Sequence, residues 1–338
     1  MPQSIQHDLH DEFARALAGL CPLERVRAIE SSDAEDLAAS TWRDVDALGY
    51  VDALTPADLG GAGLSLADAE GLLRAAGAAA LPYPLADTML ARALLRIAGQ
   101  EIPAGPIALA EALPGPGGLR CAQTPGAGLA GSFLVQRDGC LLLVAAPDAS
   151  VPGLFRQRAS AAPGWTESPR IIGRVALADD AVQAWRNAAG AAGMAGAMQA
   201  VLERCLAFVG ERHQFGRALG RFQAIQQEVS VLAEQVASTA MAARLACAGG
   251  AMFPDASLAA CARLRAGEAV PVVCSLAHAI HGAIGITEEL ALGLYTTRLH
   301  EWRAAGMSES DCAGLIGRQL LDSNCETALD FVRSLMPG

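Results

Sequence analysis

Apolar side chains recur at helical spacing along most of the chain. Between residues 187 and 246 they repeat every three or four positions, which predicts two long amphipathic helices. The short polar turn between them, residues 212–216, ends in Gly216, and a glycine supplies the permissive backbone that such a turn needs. We therefore expect an antiparallel helix pair at this point of the chain.

The first hundred residues have the same helical periodicity. Ser32 and Asp33 are candidate N-caps for one helix, and Ser65 is a candidate N-cap for the helix that follows a glycine-rich turn. Pro82 and Pro84 end that helix, and a further helix is expected to begin near residue 87. The pattern predicts an N-terminal helical domain over residues 1–103.

Helical periodicity disappears over residues 104–182. Two short apolar runs flank Asp138-Gly139, a strong signal for a β-hairpin. A second pair of strands is expected around Val151 to Leu154 and Arg170 to Leu177. This stretch therefore predicts a small β domain.

Residues 183–338 return to the helical pattern. After the helix pair, a third helix is expected over residues 256–280, a fourth piece over residues 288–302, and a last helix over residues 315–335 capped by Ser310 or Asp311. Such helices with short links predict an antiparallel four-helix bundle. The fold class is thus α+β and mostly α.

The amino-acid composition excludes several classes of function. The chain has 338 residues, room for two or three domains, and 52% apolar residues, enough for a large core. Its net charge of −11 argues against nucleic acid as a partner, because binding phosphate requires a basic surface. All the basic side chains are Arg, which excludes Schiff-base or P-loop chemistry based on Lys.

Cysteine usage and hydropathy indicate the compartment. The nine Cys include no C-x-x-C pair, so we expect buried free thiols in a reducing cytoplasm, with neither a disulfide framework nor a metal site. The polar N-terminus does not have the pattern of a signal peptide. No uninterrupted apolar run reaches the roughly 18 residues of a membrane span. These features predict a cytoplasmic protein without a membrane span.

Two motifs carry a resemblance to a known family. An isolated Arg in a helix–helix turn is usually a surface residue, but the string R-x-Q-F-G-R-x-L-x-x-F-Q-x-x-Q that begins at Arg212 is long and specific. It resembles the flavin-binding helix hairpin of the acyl-CoA dehydrogenases. Residues 279–289 are similar to the family segment Q-x-x-G-G-x-G-x-x-x-E, although Ala279 replaces its Gln. The following Y-T-T-R-L-H-E-W-R resembles short family members, subunits of heteromeric enzymes of steroid side-chain degradation.

The resemblance implies FAD as the cofactor and assigns its contacts. Arg212 is expected to bind the flavin diphosphate across a subunit interface, since a guanidinium binds phosphates in bidentate fashion. Gln214 and Phe215 then lie beside the adenosine end, and the Gln223 amide reaches the cofactor. Gly282 allows the backbone to approach the dinucleotide closely. For His281 two roles stay open, a hydrogen bond to a phosphate or a cap on its own helix.

The resemblance also implies a catalytic glutamate, which removes the α-proton of an acyl-CoA thioester. A general base must lie within hydrogen-bond reach of that proton. The family has two positions for it, and the corresponding stretches of this chain, residues 304–308 and 183–187, contain no acid. Glu301 and Glu309 flank the first stretch and are weak candidates, since both are more simply explained as solvated acids. The resemblance also implies a strand of the pattern A-x-T-E-x-x-x-G-S-D, whose backbone and hydroxyl groups contact the isoalloxazine ring of the flavin. Here residues 108–112 correspond to its start but are not followed by G-S-D.

Two main functions are therefore open. The chain is either an FAD-dependent dehydrogenase that forms a trans-2-enoyl-CoA, or the non-catalytic partner of such an enzyme that contributes flavin contacts to a homologous catalytic subunit. A helical scaffold without flavin is a third, weaker alternative. The resemblance implies an acyl-CoA substrate, an electron-transferring flavoprotein as electron acceptor, and assembly as a dimer or tetramer.

Overall fold

The computed structural model describes residues 3–31, 34–114, 118–153, 159–249 and 251–336. Ser32, Asp33 and Leu154, which the sequence places at a helix cap and in a strand, lie outside these residues. Five helices form the N-terminal part: α1 (Gln3–Leu20), α2 (Leu23–Glu30), α3 (Glu35–Ala47), α4 (Leu66–Ala78) and α5 (Leu85–Ile97).

The start of α4 confirms a predicted cap. Ser65 accepts a hydrogen bond from the Asp68 backbone N–H at 3.2 Å, and the Asp68 carboxylate accepts one from the Ser65 N–H at 3.3 Å. This reciprocal capping box satisfies two amide groups that the first turn of a helix leaves without partners. The next helix, α5, begins directly after Pro84.

The central part consists of short strands in two sheets. They are β1 (Ile107–Glu111), β2 (Leu119–Arg120), β3 (Ser132–Arg137), β4 (Cys140–Ala145), β5 (Ala149–Pro152), β6 (Ala161–Trp165) and β7 (Ile171–Ala176). The larger sheet has the order β1-β3-β4-β7, and the smaller one has the order β2-β6-β5. In the larger sheet β1 runs parallel to β3. Because β1 is the outermost strand, only one of its two edges is paired with a neighbouring strand.

The structure confirms one strand pair and corrects another. The turn at Asp138 and Gly139, both with positive φ, joins β3 to β4 as an antiparallel hairpin. The predicted pairing of the segment near residue 151 with the segment near residue 171 is wrong. Instead β5 pairs with β6, a strand not predicted, and β7 pairs with β4.

The C-terminal part is helical again. Its elements are α6 (Asp179–Glu211), the ribbon strands β8 (His213–Gln214) and β9 (Arg217–Ala218), α7 (Gln223–Cys247), α8 (Ala256–His281), α9 (Leu292–Ala304), α10 (Glu309–Asp322) and α11 (Ala328–Leu335). Helices α6, α7 and α8 pack against one another, and α10 packs on α8. The α+β, mostly α architecture with a terminal helix bundle is confirmed.

Two details of this part differ from the prediction. The last helix is divided into α10 and α11, and Thr327 caps α11 by accepting the Asp330 N–H at 3.1 Å. The N-cap of α10 is Ser308, which accepts the Asp311 N–H at 3.2 Å, so neither Ser310 nor Asp311 caps it. The domain limits at residues 103 and 182 remain predictions, while α6 already begins at Asp179.

Glycines bring α4 and α6 into close contact. A Cβ atom on Gly77 of α4 would overlap the Gly193 carbonyl, and one on Gly196 would overlap the Arg74 carbonyl. Helix backbones can approach this closely only where side chains are missing on the facing surfaces. The crossing brings α4 and the first half of α6 together beside the central sheets.

Two helices have the length and composition of membrane spans: α6, and α8 with the 3-10 turn that follows it. In α6 about 61% of the apolar window is buried inside the protein, and in α8 about 44%. These helices pack against each other within the bundle. Their apolar character is therefore that of core helices.

Candidate functional site

The bend between α6 and α7 is an exposed two-stranded ribbon. Arg212 ends α6, and its carbonyl accepts a hydrogen bond from the Leu219 N–H at 2.8 Å. Phe215 (φ 50°) and Gly216 (φ 80°) form the tip between β8 and β9. Positive φ at both central residues is the geometry of a tight hairpin turn whose twist matches its strands.

The residues of the ribbon that are predicted to contact the cofactor, Arg212 at the diphosphate and Gln214 and Phe215 at the adenosine end, lie on its surface. Arg212 and Gln214 are exposed, and the Arg212 side chain makes no hydrogen bond to any residue that the structure describes. Phe215 is 91% exposed, and the centroid of its ring lies 6.2 Å from that of the Phe222 ring. The Arg217 guanidinium lies over the Phe222 ring, 4.0 Å from its centroid. An exposed group of cations and aromatic rings is a surface suited to a nucleotide or a second chain.

Gln223 is exposed at the first position of α7. The preceding residue, Phe222, makes no side-chain cap, so the amide groups of the first turn are available to an anion. The neighbouring Gln226 has a structural role, because its amide donates to the Gly220 carbonyl at 2.9 Å.

The His281 loop lies next to this bend. Phe208, one turn before Arg212, stacks on the His281 ring with 4.4 Å between centroids. The His281 Nδ1 atom lies 2.8 Å from the Ala277 carbonyl of its own helix, which leaves Nε2 for other contacts. Burial lowers the pKa of His281, and this effect is larger than the opposite effect of the hydrogen bond to Ala277. The ring is therefore neutral near pH 7.

Gly282 ends α8 with φ 62° and ψ −146°, a backbone conformation that only glycine adopts readily. No atom lies within 4 Å of the position that a Cβ would occupy. The backbone is therefore open on this side, as a close approach to a ligand requires. All six residues predicted to contact the cofactor thus belong to two neighbouring segments at one end of the bundle.

A separate cleft, part of it open to solvent, lies where the helical parts meet the central sheets. Residues from α4, α5, β1, α6, α8 and α9 line it. The polar and charged side chains among its described lining residues are Asp87, Glu111, Gln123, Thr124, Ser160, Arg186, Asn187, Arg263 and Arg298.

The two stretches that correspond to the family's base positions meet in this cleft. The Asn187 Nδ2 atom donates to the Met307 sulfur at 3.5 Å, and the Asn187 Oδ1 atom accepts a bond from Gln183 at 3.1 Å. Neither an amide nor a thioether can remove a proton from carbon near pH 7. At this point of the cleft the two stretches therefore contribute an amide and a thioether.

Glu301 and Glu309 are not among the described residues that line the cleft. Glu301 is buried beside Gly153, on which a Cβ would overlap the Glu301 carboxylate. Glu309 is bound to the Arg303 Nε at 2.6 Å. Partial burial raises the pKa of Glu309, but the Arg303 hydrogen bond and charge outweigh it and lower the pKa overall. Both acids have structural contacts.

Three charged residues that the sequence did not single out shape the cleft. Asp87 accepts a hydrogen bond from the Leu109 N–H at 2.9 Å. Arg186 donates to the Leu109 carbonyl at 2.8 Å and to the Glu111 carboxylate at 3.3 Å. Asp87 and Arg186 therefore occupy the amide and the carbonyl of one residue on the free edge of β1.

The third of these residues, Arg263, fixes the loop that carries Met307. It is buried, and it donates to the backbone carbonyls of Trp302 at 2.8 Å and Arg303 at 2.9 Å, as well as to those of Ala305 and Met307. These carbonyls lie at the end of α9, where helix geometry leaves acceptors unpaired and a cation is favoured.

Comparisons with known proteins identify the family. A sequence model of the acyl-CoA dehydrogenase C-terminal domain matches residues 180–320. The acyl-CoA dehydrogenase IpdE2 of Mycolicibacterium smegmatis is 32% identical over 273 residues, 77% of this chain and 81% of that protein. The IpdE2 of Mycobacterium tuberculosis is 31% identical over 311 residues, 88% of this chain and 92% of that protein. The chain belongs to the acyl-CoA dehydrogenase family.

Several solved structures have the same fold. The Tcur3481-Tcur3483 steroid ACAD G363A variant superposes with a TM-score of 0.77 at 22% identity, over 95% of this chain and 99% of the other. The ChsE4-ChsE5 complex from Mycobacterium tuberculosis gives 0.70 at 19% identity, over 93% and 98%. PigA with FAD and proline gives 0.71 at 16% identity, over 93% and 97%.

Membership of the acyl-CoA dehydrogenase family implies FAD as the cofactor. The residues at the α6–α7 bend fit the diphosphate of FAD, whereas those at strand β1 do not fit its ring. At the α6–α7 bend, an exposed cation and open backbone groups suit a diphosphate. At β1, whose counterpart in the family contacts the flavin ring, the Leu109 amide and carbonyl are already bound to Asp87 and Arg186. The ring end of the site therefore does not fit.

Asp87 should make the stability of this family member depend on pH. Burial raises its pKa from 3.8 to about 6, although the Leu109 bond and the Arg186 charge oppose this. The folded protein therefore binds the Asp87 proton more tightly than the unfolded chain, so this contribution to stability is present below pH 4 and lost as pH rises through 6. We expect Asp87→Asn to raise the free energy of unfolding at pH 8 by about 1–2 kcal/mol, a value reduced for water in the cleft.

Urea denaturation of both proteins at pH 4 and pH 8 measures this effect. The gain from Asp87→Asn should vanish at pH 4, where the native Asp87 is neutral as well. Asp58→Asn, a change at an exposed position, is the matched control and should alter neither value. An equal gain at both pH values would mean that the effect does not come from the charge of Asp87.

Proposed function

We propose that this chain is a subunit of an FAD-dependent acyl-CoA dehydrogenase, and that its part is to hold the flavin diphosphate for a homologous catalytic subunit. The reaction converts an acyl-CoA to a trans-2-enoyl-CoA. When bound, FAD supplies the hydride acceptor for the hydrogen that leaves the β-carbon. In this proposal the partner chain supplies the glutamate that removes the α-proton.

The observation that carries the proposal is the contrast between the two sites of this chain. The α6–α7 bend presents Arg212, Gln214 and Phe215 to solvent, where another chain can reach them. The cleft, in contrast, has an amide and a thioether where a base is expected. A chain that keeps its outward-facing cofactor residues and has no acid in residues 183–187 or 304–308, the family's two base positions, matches the part of a contributing subunit.

The structural neighbours support assembly with a homologous chain. One of them is a complex of ChsE4 with ChsE5, and another is the steroid ACAD Tcur3481-Tcur3483. By analogy we propose a dimer or tetramer that contains both kinds of subunit. An electron-transferring flavoprotein in the cytoplasm would then reoxidise the flavin.

Flavin stoichiometry tests the proposal. The chain is produced alone and together with a homologous chain that carries a glutamate at a base position, and flavin per chain is measured by absorbance after gel filtration. We expect about one flavin for two chains in the complex, as a shared site requires. One flavin per chain, with turnover of acyl-CoAs by this chain alone, would contradict the partner role.

Asp87 favours a second candidate function, in which the chain catalyses dehydrogenation alone. Its carboxyl borders the cleft, and a pKa of about 6 suits a general base near neutral pH. A panel of acyl-CoAs tested with this chain alone separates the candidates. Turnover that is lost in Asp87→Asn would support the second one, and absence of turnover would leave the partner role.

A further inference from the structure

Strand β1 has one free edge, and this edge faces the cleft. In the larger sheet β1 is the outermost strand and pairs with β3 along its other side. Along a strand, alternate residues direct their amide and carbonyl groups to the same edge. On the free edge of β1 these residues are Ile107, Leu109 and Glu111.

We infer that Arg186 and Asp87 close this edge against the isoalloxazine ring, so that the ring is held outside this chain's cleft. The inference rests on the proposed function, because it names the residues that make the chain a contributor to a shared flavin. It does not depend on how the diphosphate is bound.

Each residue of the free edge has at least one backbone group already bound within its own chain. The Thr88 hydroxyl lies 3.0 Å from the Ile107 nitrogen and 3.2 Å from the Ile107 oxygen. The Leu109 amide donates to Asp87 and its carbonyl accepts from Arg186. The Glu111 carbonyl accepts from the Ala122 N–H at 3.0 Å.

A flavin ring needs these same groups. The pyrimidine part of the isoalloxazine carries an N–H donor between two carbonyl acceptors, and a strand edge can bind it only with unpaired amide and carbonyl groups. Leu109 has neither. The Arg186 guanidinium, moreover, lies at this edge and fills space beside the strand.

The charges around Arg186 make its guanidinium difficult to displace from the edge of β1. Arg186 is held by Glu111 and lies near Asp87, whose charge also acts on it. A neutral ring in place of the guanidinium would leave two carboxylates in the cleft without their cation, which is unfavourable where water is scarce. The binding of the ring would have to overcome this loss.

Riboflavin tests the inference directly, since it carries the flavin ring without a diphosphate. Its fluorescence is titrated with the full chain, in the native form and as Arg186→Ala, Asp87→Ala and the double variant. We expect no saturable binding to the native chain and a gain of affinity of roughly tenfold or more in the double variant. Each single variant should gain less, because each frees only one of the two Leu109 groups.

Arg186→Lys is the matched control. It keeps the positive charge at the edge and should remain closed to riboflavin. Circular dichroism and thermal melting verify that each variant is folded. Native binding as tight as that of the double variant would show that the edge is open. Failure of a folded double variant to bind would show that these two residues do not cause the closure.

The riboflavin result is independent of the proposed partner role. That role fails if the complex with a homologous subunit retains no flavin, or retains one flavin per chain. The assignment of Arg186 and Asp87 fails on the ring titration alone. The two experiments therefore distinguish a wrong function from a wrong explanation of the cleft.

Discussion

Replacing Arg298 by Met should lower the free energy of unfolding by about 3–5 kcal/mol. Arg298 lies on α9 with only 2% of its side chain exposed, and it donates to the carboxylate of Glu30 and to the Ala80 carbonyl. It thereby connects a C-terminal helix to the ends of α2 and α4. Methionine fills similar volume but leaves a nearly buried carboxylate and a carbonyl without a donor, which is the main reason for the loss.

Denaturation by urea measures the loss, and two further variants define its origin. Arg298→Met combined with Glu30→Gln removes the unpaired charge and should regain a large part of the stability. Arg333→Met breaks an exposed ion pair to Asp330 and should change stability by less than about 0.5 kcal/mol. If Arg298→Met were as mild as Arg333→Met, the buried pair would have no special role in the fold.

The sequence predicted the helices well wherever a helix buries only one of its faces. In α7 the buried Leu232 and Val236 repeat at the spacing of one helical turn, so the pattern and the structure report the same face. The prediction of one last helix was wrong because residues 323–327 interrupt it. There the Thr327 side chain caps a new helix, and such local side-chain bonds compete with helix continuation.

Strand β6 shows why the sheets were harder to predict. Its sequence, A-A-P-G-W, contains a Pro and a Gly and has none of the β-branched residues that mark a strand. It forms because β2 and β5 pair with it from both sides. Pairing between distant segments leaves no periodic signal in any one of them, so the β5–β7 connection was assigned wrongly.

The residues of the candidate site likewise differ in whether the sequence could predict them. The residues of the bend follow one another in the sequence, and a contiguous string is sufficient to single them out. The cleft residues come from three distant elements: Asp87 lies 22 residues before Leu109, and Arg186 lies 77 residues after it. An Asp in the first turn of a helix is common as a favourable partner of the helix dipole. Only the fold shows that this one faces a strand edge.

Arg212→Ala should weaken the binding of FAD by the assembled enzyme by roughly 10- to 150-fold. The estimate follows from the loss of a charge-assisted bond to phosphate, about 1.5–3 kcal/mol. Stability should change little, since the side chain is exposed and contributes no hydrogen bond among the described residues. Flavin titration of the complex at two salt concentrations measures the effect, and the difference between variant and native protein should shrink at high salt.

Two variants separate the phosphate contact from a general effect of charge. Arg137→Ala removes the same charge from an exposed position at the end of β3 and should leave FAD binding unchanged. Arg212→Lys keeps the charge but loses the bidentate geometry of the guanidinium. Its affinity for FAD should therefore lie between those of the native chain and Arg212→Ala. Equal affinity for FAD in Arg212→Ala and the native chain would remove the bend from the flavin site. The exposed Phe215 would then be explained more simply as part of a protein–protein contact, because exposed aromatic rings are enriched at such interfaces.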